Sequence, residues 1–147
     1  MKIFGCLLIL ASSLLSSYTY DTNYKKRLAT IKEIKAFIEQ IRVEIEYFSR
    51  GITDIFKDYK GKSQSILSLI STGVCPKIKN SEAEDSVNEL FQSLGKGYKK
   101  EQIKLCEYTC KRLEDAYFEQ EIQYKGKVKV FATMSVFSAV GILTLLI

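Results

Sequence analysis

YKKEQIKLCEYTCKRLEDAYFEQEIQYKGKVKVFATMSVFSAVGILTLLI, residues 98–147, decides the fold. In its first half Ile103, Cys106, Cys110, Leu113 and Tyr117 recur at alternating steps of three and four, with lysines and glutamates filling the opposite side. That period places the apolar residues on one face of a helix that must be covered. A basic collar follows, Lys125, Lys127 and Lys129, and residues 130–147 carry no charge. As a helix that run is roughly 27 Å long, close to the hydrocarbon core of a bilayer at about 30 Å. The stretch predicts one long helix that leaves water and enters lipid at the lysine collar.

The other end mirrors it. Residues 3–20 are uncharged, Asp21 closes the run, and Lys25, Lys26 and Arg27 follow. The predicted organisation is an N-terminal membrane anchor at 1–20, a helical domain at 21–129 and a C-terminal anchor at 130–147. Lysine and arginine beside a span favour the cytoplasmic side. Both basic clusters border the middle, so residues 21–129 are predicted in the cytosol with both tips outside; Lys2 opposes this weakly. A cleaved signal peptide would need a small-x-small site. The candidates around Ser16, Ser17 and Thr19 are interrupted by Tyr18, so a retained anchor is expected.

Between the anchors, residues 24–50 read as a helix. Ile31, Ile34, Ile38, Ile41, Ile45 and Phe48 form its apolar stripe with Phe37 beside it, and Lys32, Glu33, Lys35, Glu39, Arg42, Glu44 and Glu46 lie outward. Gly51 breaks the pattern. Ile52, Ile55, Phe56 and Tyr59 predict a short helix ended by Gly61, and Ile66, Leu67, Leu69 and Ile70 another, closed by Gly73. A loop holding Pro76 leads to Ser81, which with Glu84 makes a capping box for a further helix whose apolar face is Val87, Leu90, Phe91 and Leu94. Gly95 and Gly97 end it. No alternating strand pattern is present. The fold class is all-α, a small antiparallel helical bundle with an N-terminal and a C-terminal transmembrane helix. The two long helices form its spine, with Ile38 and Ile41 facing Cys110 and Leu113.

Composition narrows the function. The net charge of +5, from 22 basic and 17 acidic residues, is spread among mixed signs, whereas a nucleic-acid binder concentrates its excess on one face. The absence of histidine removes the commonest general base and the commonest zinc ligand. No glycine-rich phosphate loop is present: residues 94–98, LGKGY, have the wrong spacing and no following Ser or Thr. Cys106 and Cys110, one helical turn apart on the buried stripe, read as small apolar fillers. Neither a catalytic residue, a metal ligand nor a cofactor or small-molecule site is expected.

The order of these parts resembles the stage III sporulation protein AB family. Residues 27–47, RLATIKEIKAFIEQIRVEIEY, are similar to that family's first helix; residues 94–102, LGKGYKKEQ, to its Leu-Gly turn into the last helix; and KVKVFATMSVFSAVGILTLLI, with Gly141, to its closing anchor. The chain departs from the family in lacking a proline in SRGITDIFKDYKG and in carrying Gly97 and Tyr98 where an acidic residue is usual. The soluble part of the family resembles the helical domain of the type II secretion inner-membrane platform protein. The resemblance implies a structural component of the sporulation channel complex between mother cell and forespore, in the mother-cell membrane, and not an enzyme. Its implied partners are other membrane proteins of that complex and a secretion-type ATPase. The candidate docking residues are Glu39, Glu44 and Glu46 on the outward side of the first helix. The alternative is a small membrane-active, holin-like pore protein, against which stands the long, well-patterned middle.

Overall fold

In the computed structural model, the backbone is described over residues 2–59 and 63–146, and side chains over 21–59 and 63–128 with a few positions outside. Every regular element is helical: α1 (Lys2–Val43), continued by a π-turn (Glu44–Phe48), then α2 (Ile52–Asp58), α3 (Gln64–Thr72), α4 (Ser81–Ser93) and α5 (Lys99–Leu146). Among the described residues there is no strand. The all-α expectation holds, and no helix among the described residues is long and apolar enough to cross a membrane. The side chains of the two expected anchors, 1–20 and 130–147, lie for the most part outside the described residues.

The chain forms two compact units. Arg27–Glu119 is the larger. Ile31, Ile34, Phe37, Ile38 and Ile41 are each at most 1% exposed, so the stripe read from the sequence is the one buried. It meets the face of α5 that carries Cys106, Cys110 and Leu113, together with Thr109 and Ala116. Three surface contacts fix the register. Lys32 lies 4.9 Å over the Tyr117 ring, Lys35 pairs with Glu114 at 3.3 Å, and Arg42 pairs with Glu107 at 3.1 Å. Each step forward along α1 is matched by an equal step back along α5, so the two helices are antiparallel, as expected. The Cys110 thiol lies 4.0 Å from the Lys35 carbonyl, at the same level.

Helix α4 covers a second side of α5. Thr109, Arg112 and Glu119 meet Ser86, Glu82 and Asn80 in turn, again antiparallel. The short helices close the core through aromatic rings: Phe37 has Tyr59 at 4.2 Å, Phe56 at 6.1 Å and Phe91 at 6.2 Å between centroids. Spacings of this order suit tilted and offset ring pairs. Gly73 closes α3 at φ +66°. Gly95 sits at φ +84°, where an added Cβ would also lie 3.3 Å from Ile52 Cδ1. Both turns therefore require glycine.

Two details differ from the sequence reading. The cap of α4 is Asn80, whose side-chain oxygen accepts from the Ala83 N–H. Glu84 does not reach back to Ser81; its carboxylate accepts from the Ile78 and Lys79 N–H groups at 2.8 and 2.9 Å. Asn caps as well as Ser does, and starting one residue earlier frees Glu84 to satisfy the preceding loop. The second difference is Phe48, placed on the stripe by its spacing but 66% exposed. The Ser49 N–H bonds the Glu44 carbonyl, five residues back. That wider turn takes in an extra residue and rotates the end of the helix off the buried face.

The smaller unit comprises Met1–Lys26 and Gln120–Ile147. In it Tyr24 stacks on Tyr124, with centroids 4.3 Å apart and planes 9° from parallel. The Tyr124 hydroxyl donates to Asp21, which also pairs with Lys25 at 2.7 Å. These two donors, the lysine first, hold the Asp21 carboxyl below its ordinary range.

Candidate docking surface

The three acidic residues singled out from the sequence do not share one environment. Glu39 is exposed and lies 3.9 Å from Lys35, which is shared with Glu114. Glu46 is exposed, and its backbone carbonyl accepts from Lys99. Glu44 opens the π-turn, is half-buried, and faces Arg50 at 3.7 Å. Arg50 is in turn bonded to Asp58, and this pairing, with Asp58 the largest cause, raises its pKa. Glu44 thus ties the end of the π-turn to α2, which leaves Glu39 and Glu46 facing solvent.

Sequence spacing did not reveal the surface beside Glu46. The π-turn leaves Tyr47 73% and Phe48 66% exposed, and Tyr98, just before α5, is 82% exposed. Lys99 reaches across to this turn and donates to the Glu46 carbonyl at 2.7 Å and to Ser49 Oγ at 3.1 Å. Ser49 itself takes the left-handed conformation at φ 49°. The lysine satisfies a carbonyl group of the kind that a helix end otherwise leaves without a partner. Lys99 lies far along the chain from this turn, so no local signal announces the contact.

Between α4 and α5 the surface is tied up internally. A groove of about 250 Å³ between α4 and α5 is lined by Asn80, Glu82, Arg112, Asp115 and Glu119 among others. Arg112 donates to Glu82 at 2.7 Å and to the Tyr108 hydroxyl at 2.9 Å, and Asn80 donates to Glu119 at 2.9 Å. Among the described residues no group of three or more acidic or thiol side chains is placed to hold a metal ion. Burial pushes the thiols of Cys75 and Cys106 up to about 12 and that of Cys110 to about 11. They are neutral core side chains at physiological pH, unsuited to act as nucleophiles. The geometry offers a charged outer surface and a turn with exposed aromatic side chains, tied to α5 by Lys99.

Comparison with known proteins gives one result. The family model for stage III sporulation protein AB matches residues 2–93, the span from α1 through α4. The turn at 94–102 and the closing apolar run, which carried part of the resemblance, lie beyond the matched residues. No curated protein and no solved structure matches the chain.

Proposed function

The chain belongs to the stage III sporulation protein AB family, and on that premise we propose that it is a membrane-anchored assembly component of the sporulation channel complex. In this reading the helical unit is a docking platform for a secretion-type ATPase and performs no chemistry itself. The observation that carries the proposal is the family match falling on a helical bundle whose isoleucine stripe on α1 is buried in its own core. The outer surface remains for partners.

The anchoring part rests on the uncharged runs 3–20 and 130–147. Their lengths suit a bilayer, and the inner basic clusters favour a cytosolic domain with both tips outside. In the family's setting this is the mother-cell membrane around the forespore, beside other membrane proteins of the complex. The docking part rests on Glu39 and Glu46, which are exposed and serve no core contact. Such charges act mainly on association rate and salt dependence.

The test is made in a spore-forming host. Deleting the gene should arrest sporulation, and the full-length protein should capture the complex's ATPase. Glu39→Lys with Glu46→Lys should keep helical circular dichroism while weakening capture, most at low salt. Normal spore formation after deletion overturns the assembly role. Capture undiminished across a salt series overturns the acidic face as the docking site.

A further inference from the structure

In the smaller unit Tyr24 of α1 stacks on Tyr124 of α5, and the Tyr124 hydroxyl donates to Asp21, so the two helices run side by side at this level. Lys25 and Lys26 follow Tyr24 directly, and Lys125 and Lys127 lie within one helical turn of Tyr124. All four are exposed. Lysines of both helices therefore gather at one level, and the sequence adds Lys129 beside them. Two carboxylates stand among them. Asp21 is taken by Lys25 at 2.7 Å and by Tyr124, and Glu121 by Lys125 at 3.0 Å. The lysines outnumber these carboxylates, and an ammonium carries three donors, so positive charge and donor capacity remain after both acids are met.

Beyond this level α5 carries no further charge, and Val130, Met134 and Phe137 are 58%, 64% and 72% exposed. Positive charge bordering exposed apolar side chains is the pattern of a lipid–water boundary, where lysine heads meet phosphates and apolar groups meet acyl chains. We infer that Lys25, Lys26, Lys125 and Lys127 bind the phosphates of anionic phospholipids in the leaflet that faces the helical domain. In a zwitterionic lipid the phosphate is offset by the headgroup's own cation, so the lysines select for headgroup charge as well as for a bilayer. An acidic protein segment would neutralise the lysines and leave Val130, Met134 and Phe137 bare, whereas a lipid covers both. The inference rests on the membrane-anchored reading and adds to it the class of lipid bound.

The experiment reconstitutes the purified full chain in vesicles of phosphatidylcholine, and in vesicles of phosphatidylcholine and phosphatidylglycerol in equal parts, and flotation records association. In the mixed vesicles, electron paramagnetic resonance compares spin-labelled phosphatidylglycerol with spin-labelled phosphatidylcholine and reads the fraction of each that the protein immobilises. The expected result is flotation with both vesicles and a preference for phosphatidylglycerol of about fivefold or more, the factor that one lysine near an anionic surface supplies. Lys26→Gln with Lys127→Gln should remove most of the preference with circular dichroism unchanged. Lys26→Arg with Lys127→Arg should keep it, as should Lys100→Gln with Lys111→Gln on the larger unit. Equal immobilisation of the two lipids is the result expected if the lysines serve an acidic protein segment instead. It overturns the inference and leaves the anchored reading standing, as does a preference that survives the Lys26 and Lys127 glutamine variant. Flotation with the phosphatidylglycerol vesicles alone sustains the lipid preference and defeats the anchored reading. Flotation with neither overturns both.

Discussion

Lys35 of α1 and Glu114 of α5 meet at 3.3 Å, and two helical turns further on Arg42 and Glu107 repeat the contact at 3.1 Å. The pairs mark the register but contribute little stability, because both are partly open to solvent and such pairs are worth about 0–1 kcal/mol. The apolar contacts beneath them hold the helices together.

Ile38→Ala and Leu113→Ala should therefore each destabilise the protein by about 2–5 kcal/mol, since both side chains are fully buried. Lys35→Ala should cost less than about 1 kcal/mol. Thermal unfolding of the purified full chain measures all three. Unchanged midpoints for both core variants would show that the spine is wrongly placed.

Asn80→Ala removes the acceptor for the Ala83 N–H and should cost about 0.5–2 kcal/mol. Glu84→Ala strips the Ile78 and Lys79 N–H groups of their acceptor. Amide hydrogen exchange should accelerate at Ala83 in the first variant and at Ile78 and Lys79 in the second. Faster exchange at Ser81 in the Glu84 variant, with Ile78 and Lys79 unaffected, would instead favour the capping box.

The buried thiols make stability depend on alkaline pH. Their ordinary value is 9.0, and the fold raises Cys106 to about 12 and Cys110 to about 11. The folded state holds the proton more tightly, so this contribution is complete below pH 9 and shrinks as pH rises from there toward the folded values. The melting temperature should fall between pH 8 and pH 10, and fall less in a variant carrying Cys106→Ala and Cys110→Ala. Equal slopes would mean that the thiols are not shielded.

Under the proposed orientation, a fluorescent reporter that matures only in the cytosol should stay dark when fused after Ile147. The same reporter inserted at the exposed Val74 turn should be bright. The opposite pattern reverses the topology.

The spine was legible because its signal is dense: Ile31, Ile34, Ile38 and Ile41 repeat at helical spacing, and so do Cys106, Cys110 and Leu113. Such stripes survive any detail of packing. The antiparallel pairing came from two faces that needed cover. Phe48 was misplaced because a period carried forward assumes a constant turn, and the π-turn breaks it. The Asn80 cap lies one residue before Ser81, and both residue types cap well, so the sequence alone does not separate them. Nothing local ties Lys99 to Glu46, 53 residues earlier, so the aromatic turn became visible only in three dimensions. Of the acidic set, the diversion of Glu44 to Arg50 was hidden for the same reason.

The register of α1 against α5 also sets an order of events during synthesis. Arg42 and Glu107 are 65 residues apart in the chain. A ribosome adding about 5–20 residues per second leaves the isoleucine stripe of α1 without its cover for roughly 3–13 s. Through that interval the nascent chain displays Ile31, Ile34, Ile38 and Ile41 to the cell. A chaperone that shelters that stripe until the last helix emerges should therefore raise the yield of folded protein.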